Sequence, residues 1–432
     1  CDIPSHLYSW SFEPNPEWTR MYPTQPEIQA YLLRAIEHRG LRPLIRLNCQ
    51  VRDAVWDEAA RQWRVATASG ETFTAHILVA GMGGLSRPAY PDIPGATSFA
   101  GPAFHSARWD HSLNLAGKRV AVIGTGASAI QFVPQIAPHV ERLTLYQRTP
   151  PWILPKRDPA LGPFWRGLFR RLPAVMRLFR AALYWRQEAL APAFTLSPAL
   201  MAPAARMARA HLAAAVADPE LRRKLTPTYR MGCKRILLSN DYYPALARPN
   251  VELITAPIDR ITPSGVVTAD GGERPADALI YGTGFRATDL LTPLRIIGRG
   301  GVDLNDAWRG GLEAYHGVTV TGFPNLFILV GPNTGLGHNS IVFIIEAQIH
   351  YVLECLRLME LRGVRAIDVK PAAQRRYNLD IQQRLRRTVW ASGCKSWYLD
   401  ARGANTTLWP GSTISYWAQT REPAAADYSL LR

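Results

Sequence analysis

The segment Gly124–Ala129 (GTGASA) has the glycine spacing of a turn that binds the pyrophosphate of a dinucleotide. Gly124 and Gly126 would let the backbone approach the phosphates. The helix that follows would point its first N–H groups at their negative charge. A glycine pattern alone is weak evidence, so the flanking elements decide what it means. The residues predicted to bind the pyrophosphate are Gly124, Thr125, Gly126, Ala127 and Ser128.

A strand, a helix and a second strand surround this turn in the order that a nucleotide-binding βαβ unit requires. Arg119–Ile123 is apolar enough for a buried strand, a helical segment follows the turn, and RLTLYQR (142–148) is typical of a second strand. Residues 117–148 therefore predict a βαβ unit with the phosphate turn in its expected place.

The end of the second strand indicates which nucleotide binds. Gln147, Arg148 and Thr149 stand there. A site for NAD usually carries an Asp or Glu at this point for the ribose 2′-hydroxyl, and an acid would repel a 2′-phosphate. An arginine instead forms charge-assisted hydrogen bonds with that phosphate. The sequence therefore predicts NADP.

The other elements predict an α/β protein. Residues 25–40 form a helix that starts near Pro26 and ends at Gly40, and residues 49–81 form an antiparallel meander that closes on a buried strand, Ala75–Ala80. Further along, a buried strand at Leu326–Val330 leads into a glycine-rich loop and a long helix that starts near Ser340.

The composition is that of a globular protein with room for two or three domains. Of the 432 residues 47% are hydrophobic, and no apolar run reaches the roughly 18 residues of a membrane span. Lysine and arginine number 50 against 34 acids, a net charge of +16. The arginines are spread along the chain without a lysine-rich tail, which favours a site for anionic phosphates over a nucleic-acid interface.

The cysteines indicate the redox compartment of the protein, and the first residues indicate whether the sequence starts at the beginning of the protein. The five cysteines are scattered without metal-ligand spacing, so we predict no metal site and expect a reducing cytoplasm. The chain begins with CDIPSHLYSW, which lacks a Met and resembles no signal peptide. We therefore expect a further segment upstream.

Residues 153–230 are predicted to be helical and are rich in arginine. The piece 164–188 (FWRGLFRRLPAVMRLFRAALYWRQE) has aromatic residues between its arginines and a single acid, Glu188. Two interpretations are open. A basic amphipathic helix can lie on an anionic membrane surface as a peripheral contact. Alternatively, the helices form an insert packed on the nucleotide domain, which the general preference of amphipathic helices for a core favours.

A longer pattern resembles a known family. The stretch FAGPAFHSARWD (99–110) matches F-x-G-x-x-x-H-x-x-x-W-[PD], the fingerprint of Baeyer–Villiger monooxygenases, which are class B flavoprotein monooxygenases. The pieces GTGASAIQ, QRTP, GCKR, DYY, GFPNLF, GPNTGLGHNS and SWY follow in the family's order. The fingerprint residues, interpreted as a hinge between domains, are Phe99, Gly101, His105, Trp109 and Asp110.

The resemblance implies two Rossmann-like dinucleotide-binding domains, one for FAD and one for NADP, with a helical insert in the latter. It assigns residues 1–112 and 281–432 to the FAD domain, 113–152 and 232–280 to the NADP domain, and 153–231 to the insert. The family's first G-x-G-x-x-G turn, for FAD, has no counterpart in this sequence. We therefore expect the first βα unit of the FAD domain to be missing.

The resemblance also implies a catalytic pair. Arg235 in GCKR matches the family's active-site arginine, and Asp2 matches the acid that pairs with it. NADPH would reduce the flavin, O₂ would form a C4a-peroxyflavin, and the peroxide anion would attack a ketone. A fixed guanidinium lowers the free energy of that anion and of the oxyanion that follows.

Cofactor contacts are implied on both sides. For NADP, Arg148 and Lys234 match the 2′-phosphate site, and Trp397 matches a mobile-loop residue that closes over the nucleotide. The further NADP contacts are Gln131 and Thr149. The residues that match FAD contacts, or the turn between the domains, are Tyr8, Gln25, Val51, Gly282, Thr283, Gly284, Asn333 and Ile341.

The activity implied is NADPH- and O₂-dependent oxygen insertion into a small-molecule ketone to give an ester or lactone, with FAD as the second cofactor. Two alternatives are open. The same flavin chemistry can oxygenate the nitrogen or sulfur of a soft nucleophile, which Arg235 disfavours because it stabilises the peroxide anion. A chain without the FAD turn could instead be a non-catalytic NADP-binding remnant.

Overall fold

The computed structural model describes residues 1–432, which form two compact units. Unit 1 comprises Cys1–Gly83, Arg157–Ser197 and Thr288–Arg432, and unit 2 comprises Gly84–Lys156 and Pro198–Ala287. The helices are α1 (Gln25–His38), α2 (Ala129–Ile136), α3 (Pro163–Arg171), α4 (Pro173–Glu188), α5 (Ala191–Thr195), α6 (Ala202–Ala215), α7 (Pro219–Leu225), α8 (Tyr242–Leu246), α9 (Leu304–Ala307), α10 (Ile341–Arg362), α11 (Pro371–Leu385) and α12 (Thr413–Gln419).

The strands are short. They are β1 (Val51–Asp57), β2 (Gln62–Thr67), β3 (Thr72–Ala75), β4 (Leu78–Ala80), β5 (Ala103–His105), β6 (Arg119–Ile123), β7 (Arg142–Tyr146), β8 (Ile153–Leu154), β9 (Leu237–Leu238), β10 (Val251–Ile254), β11 (Ile258–Thr262), β12 (Gly265–Thr268), β13 (Glu273–Pro275), β14 (Ala278–Tyr281), β15 (Arg295–Ile297), β16 (Leu326–Ile328), β17 (Ala366–Val369) and β18 (Tyr428–Leu431).

Unit 2 is built on a five-stranded parallel sheet in the order β10-β7-β6-β14-β5. Its central strands are apolar because both faces are covered, and Val122, Leu143 and Leu145 are fully buried. The helix α2 connects β6 to β7, so the predicted βαβ unit is confirmed. A small antiparallel sheet of β11, β12 and β13 follows β10 along the chain.

Unit 1 contains the predicted meander, in which β1, β2 and β3 pair antiparallel and β15 adds to β1 in parallel. The single strand predicted over Ala75–Ala80 is wrong. The chain leaves the meander after Ala75, and Leu78 starts β4, which pairs with β16 instead. One run of apolar residues thus serves two sheets, which periodicity alone could not show.

The two predicted long helices begin near the expected residues, and the first also ends near Gly40 as expected. Thr24 and Glu27 form a capping box at the start of α1, and Gly40 follows its end with a φ of 61°. Ser340 caps α10 by accepting a hydrogen bond from the Val342 N–H, and Gly363 ends it in the left-handed conformation. No helix combines the length and the apolar character needed to cross a membrane.

Two chain segments lie in a different unit from the one that the predicted domain boundaries suggest. Residues 84–112 lie in unit 2 because β5 pairs with β14 at the edge of the parallel sheet. Residues 157–197 lie in unit 1, where Leu183 of α4 packs against Ile3 and Leu7. The assignment of these pieces to FAD and NADP domains stays a prediction.

Candidate functional site

The phosphate turn lies at the carboxyl end of β6 in unit 2, where open parallel sheets bind nucleotides. Gly124 has a φ of 109°, and a Cβ there would lie 2.4 Å from the carbonyl oxygen of Gly282. Only glycine fits this close approach. At Gly126 a Cβ would meet no heavy atom within 4 Å, so this side of the turn is open for a ligand.

The other predicted residues of the turn hold its shape. The Thr125 hydroxyl donates to the carbonyl oxygen of Thr149 at 3.2 Å, which ties the turn to the end of β7. The Gln131 side chain donates to the carbonyl oxygen of Ala127 at 2.7 Å, and Ser128 lies directly before α2. The structure therefore brings these predicted residues together at one end of the sheet.

Two cations accompany the turn. Arg148 is exposed after the end of β7, and Lys234 is half-buried with its Nζ 4.9 Å from the centre of the Tyr229 ring. Burial lowers the pKa of Lys234, and so does the positive charge of Arg148, which places the two charges in one neighbourhood. The residue before Arg148 is the buried neutral Gln147. These residues fit the 2′-phosphate of NADP, and the open turn fits its pyrophosphate.

The predicted catalytic pair lies in different units. Arg235 is half-buried in unit 2, directly after Lys234. Asp2 is half-buried in unit 1, where its negative charge contributes to the raised pKa of Tyr22, although burial is the larger cause. The pairing of Arg235 with Asp2 therefore stays a prediction.

The glycine-rich loop before α10 carries the predicted flavin residue Asn333. Asn333 is buried with a φ of 57°, and its side chain donates to the carbonyl oxygens of Asn405 at 2.8 Å and Leu408 at 3.1 Å. Its Oδ1, and the hydroxyl of Thr406, are buried without a hydrogen-bond partner. Buried polar atoms of this kind need partners. Together with the first N–H groups of α10, which starts at Ile341, they fit a polar cofactor such as FAD.

The remaining predicted flavin and loop residues lie on separate elements of unit 1. Tyr8 packs among apolar residues of the amino-terminal segment, and Gln25 starts α1, where its amide bonds Gln29. Val51 starts β1 and is exposed. Trp397 is 42% exposed, with its ring 4.5 Å from that of Tyr398.

The predicted connecting turn holds two segments of unit 2 together. The Thr283 hydroxyl donates to the carbonyl oxygen of Ala89 at 2.5 Å, and the Ala89 N–H donates to the carbonyl oxygen of Gly284 at 2.9 Å. These segments lead to the ends of unit 2 at Gly84 and Ala287. The Gly282 N–H donates to the carbonyl oxygen of Ile123 at 2.8 Å, and the Gly282 carbonyl oxygen lies close to Gly124.

The fingerprint residues pack beside these segments. His105 is fully buried, with its ring centre 5.5 Å from that of Tyr90 and 5.8 Å from that of Phe285. Its Nδ1 accepts a hydrogen bond from the Ala107 N–H. Trp109 contacts Phe104 edge-on at 5.2 Å.

The other three fingerprint residues shape the backbone. Phe99 packs against the apolar cluster under the small sheet of unit 2. A Cβ on Gly101 would lie 2.5 Å from the Asp277 carbonyl oxygen, so a glycine is required. Asp110 accepts hydrogen bonds from the N–H and hydroxyl of Ser112 and closes a turn.

Sequence reasoning missed a buried polar cluster in unit 1. Glu188, at the end of α4, accepts hydrogen bonds from the Asn339 side chain at 2.8 Å and from the N–H and hydroxyl of Thr413 at 2.6 and 2.8 Å. The Nε2 of His338 lies 3.4 Å from its Oε2. The available signal was a single acid within a long basic helical segment.

This cluster fixes the glycine-rich loop. Burial alone would raise the pKa of Glu188, but the nearby His338 and the hydrogen bonds from Asn339 and Thr413 lower it to about 2. The carboxylate is therefore ionised at neutral pH and connects α4 to the residues directly before α10 and to the start of α12.

Comparison with known proteins agrees with this geometry. The family described as pyridine nucleotide-disulphide oxidoreductase matches residues 6–171. A Baeyer–Villiger monooxygenase of Pseudomonas aeruginosa is 52% identical over 432 residues, which cover 100% of this chain and 82% of that protein. Another, of Streptomyces coelicolor, is 49% identical over 434 residues, which cover 100% of this chain and 83% of that protein.

Solved structures share the fold. An oxidised steroid monooxygenase bound to NADP has a TM-score of 0.87 at 31% identity, and a closed cyclohexanone monooxygenase one of 0.88 at 30%. Both comparisons cover 100% of this chain and 90% of the other. A third structure, which holds both FAD and NADP, has a TM-score of 0.88 at 27% identity. These findings confirm the resemblance and the α/β fold, and the chain belongs to the Baeyer–Villiger monooxygenase family.

Proposed function

We propose that the chain uses NADPH and O₂ to insert one oxygen atom into a ketone and release an ester or a lactone. Family membership supports the reaction class. The observation that supports NADPH as the electron donor is the open turn at Gly126 with Arg148 and Lys234 beside it. FAD, when bound and reduced, supplies the activation of O₂. The residues of the chain bind and orient the cofactors and stabilise the charge that develops on the substrate.

The role of unit 2 is to bind NADPH. The N–H groups of the turn and the start of α2 would hold the pyrophosphate, because they are unpaired donors at the positive end of a helix dipole. Arg148 would hold the 2′-phosphate through paired hydrogen bonds, and Lys234 would add a point charge from the other side. Gln131 and Thr149 would support this geometry through the turn.

Arg235 is proposed to stabilise the negative charge that develops on the ketone oxygen. A guanidinium keeps its proton at any working pH, and partial burial strengthens its attraction for a nearby anion. Asp2 is proposed to position Arg235 by pairing with it. Lysine at position 235 would keep the charge but lose the planar fork of donors.

Unit 1 is proposed to bind FAD. The N–H groups at the start of α10, near Ile341, would face a negatively charged edge of the flavin. Asn333 would support the glycine-rich loop from below, and Trp397 would close over NADP and exclude water. Further FAD contacts are proposed for Tyr8, Gln25 and Val51.

The fingerprint is proposed to serve the connection between the domains. The backbone would turn at Gly282, Thr283 and Gly284. The side chains of His105 and Trp109 would pack beside this turn and keep the connecting segments in place. The domain boundaries and a cytoplasmic location also stay predictions, and so does a peripheral membrane contact of the Arg-rich helices.

Nucleotide binding directly tests whether Arg148 and Lys234 select NADP. Isothermal titration calorimetry should show that Arg148→Gln and Lys234→Gln each weaken NADP⁺ binding by about 10- to 100-fold, the value of one charged hydrogen bond. Binding of NAD⁺ should not change. Arg142→Gln is the matched control, because Arg142 starts the same strand β7 and pairs with Glu252 on the surface. Equal weakening for both nucleotides would contradict the proposal.

Product analysis tests the reaction. The enzyme, loaded with FAD and supplied with NADPH, should convert a ketone to an ester or lactone in parallel assays with a ketone and a sulfide. A sulfoxide product with no ester from any ketone would favour heteroatom oxygenation. A colourless chain that binds NADP⁺ and takes up no FAD would favour the non-catalytic alternative.

A further inference from the structure

The helix α4 in unit 1 has two apolar faces. One face is buried and contributes Met176 and Leu183 to the interior. The opposite face carries Leu178 and Trp185, seven residues apart, which are 71% and 58% exposed. Residues at this spacing lie on the same side of a helix. A buried helix needs one apolar face, so the second face is unexplained by the packing of unit 1.

The preceding helix α3 also has exposed apolar side chains. Phe164 and Trp165 are exposed at its start. Such a cluster of large exposed apolar residues marks an interaction site. Its members, called here the outer face of α3–α4, are Phe164, Trp165, Leu178 and Trp185.

The segment that carries the outer face has charged residues of one sign only. Residues 159–187 contain no Asp or Glu. Among the arginines, Arg180 is engaged inside, where it donates to the carbonyl oxygens of His6 and Ser9, and Arg170 pairs with Glu17 at 2.8 Å. Arg171 and Arg177 are exposed, and they directly precede Leu172 and Leu178 in the chain.

A cavity of about 340 Å³ opens beside the same helix. Arg177, Arg180 and the Tyr184 side chain line it together with Phe343 and Met176. The pocket thus combines cationic and apolar walls, with no acidic residue among those that line it. This chemistry suits a phosphate that is attached to a hydrocarbon chain.

We propose that the outer face of α3–α4 docks onto the surface of a membrane that contains anionic phospholipids. The helices would lie in the plane of the interface. Leu178 and Phe164 would enter the acyl boundary, Trp165 and Trp185 would lie at the headgroup level, and Arg171 and Arg177 would contact the phosphates. A protein partner would have to present acidic residues next to an apolar groove. An anionic bilayer already has negatively charged headgroups directly above apolar acyl chains.

Vesicle sedimentation tests this proposal with the full chain. The wild-type protein should bind vesicles of equimolar phosphatidylcholine and phosphatidylglycerol and should bind pure phosphatidylcholine much less. Leu178→Glu should lower the partition coefficient by about 10- to 100-fold, the value of one buried leucine. Arg177→Gln should lower it by about fivefold, the value of one surface arginine.

The controls separate this face from the general positive charge of the protein. Leu361→Glu adds the same acid at a leucine that is 84% exposed on α10, and Arg375→Gln removes an exposed arginine on α11. Both should leave vesicle binding within about twofold of wild type. The midpoint of thermal unfolding should stay close to that of wild type in all four variants, which would show that unit 1 folds in each of them.

Three outcomes would overturn the proposal. One is equal loss of binding for Leu178→Glu and Leu361→Glu. Another is equal binding to both kinds of vesicle. The third is a dimer in sedimentation velocity that Leu178→Glu converts to a monomer, since the face would then belong to a second copy of the chain.

Discussion

Replacing Glu188 by glutamine should destabilise unit 1 strongly, although glutamine has nearly the same size. The carboxylate accepts from the Asn339 amide and from two donors of Thr413. Glutamine has only one acceptor oxygen, and its NH₂ group would face an N–H or O–H group that now donates to the carboxylate. The change therefore leaves at least one buried donor without a partner.

The pKa of Glu188 sets the magnitude. A fall from the ordinary value of 4.5 to about 2 is equivalent to about 3 kcal/mol of unfolding free energy, because each pKa unit is worth about 1.4 kcal/mol. The carboxyl is 5% exposed, so solvent screening does not reduce this figure much. Since the pKa of the folded state is the lower one, this stability is present above pH 4.5 and is lost as the pH falls towards 2.

Thermal unfolding followed by circular dichroism measures the effect. The midpoint of Glu188→Gln should lie about 3–6 °C below that of wild type at pH 7, from an unfolding entropy of about 2 cal/mol/K per residue. The difference should be constant between pH 8 and 6 and should shrink below pH 4.5. Glu58→Gln is the control, because that exposed carboxylate pairs with Arg299 on the surface and should cost less than about 1 kcal/mol.

A near-neutral Glu188→Gln variant at pH 7 would refute this reasoning. Burial alone raises a carboxyl pKa, and a protonated Glu188 would be replaced by glutamine at little cost. A midpoint of Glu188→Gln that rises relative to wild type as the pH increases from 4.5 to 7 would point the same way. Either result would mean that desolvation outweighs the hydrogen bonds in this cluster.

Three further predictions concern unit 2 and the pH dependence. Gly124→Ala should abolish NADP⁺ binding and lower the midpoint of thermal unfolding, because its Cβ would lie 2.4 Å from a carbonyl oxygen, while Gly126→Ala should keep the midpoint. His105→Ala should cost about 2–4 kcal/mol of unfolding free energy and weaken NADP⁺ binding; unchanged calorimetric titrations would contradict its proposed role. Burial raises the pKa of Asp368 to about 6, so its ionised form costs stability above pH 6 and nothing below pH 3.8. Asp368→Asn should therefore raise the midpoint of thermal unfolding at pH 8 but not at pH 3.5.

The parts of the fold that the sequence predicts correctly are those with local signals. The phosphate turn, its two strands and the helix between them occupy one continuous segment. The hydrophobic periodicity and the glycine spacing of this segment are sufficient to predict its structure. The start of α10 was predictable for the same reason, because Ser340 is a strong cap next to a long apolar run.

The parts that it missed depend on contacts between distant residues. Glu188 bonds Asn339 and Thr413, which are 151 and 225 positions away along the chain. No periodicity within α4 indicates that its last residue enters such a cluster. The same holds for β4, because its partner β16 lies far along the chain and only that pairing separates it from β3.

The position of His105 argues against a role as catalytic base, which its place between aromatic residues would otherwise suggest. The side chain is fully buried, so it cannot reach a substrate, and burial lowers its pKa, which keeps the imidazole neutral. Its ring packs on Tyr90 and Phe285, which flank the paired segments that run to the two ends of unit 2. A neutral, tightly packed ring at that place fixes the backbone from which the chain leaves the unit. We therefore expect His105 to have a structural role beside the segments that leave unit 2, and the proposed place of the chemistry remains Arg235.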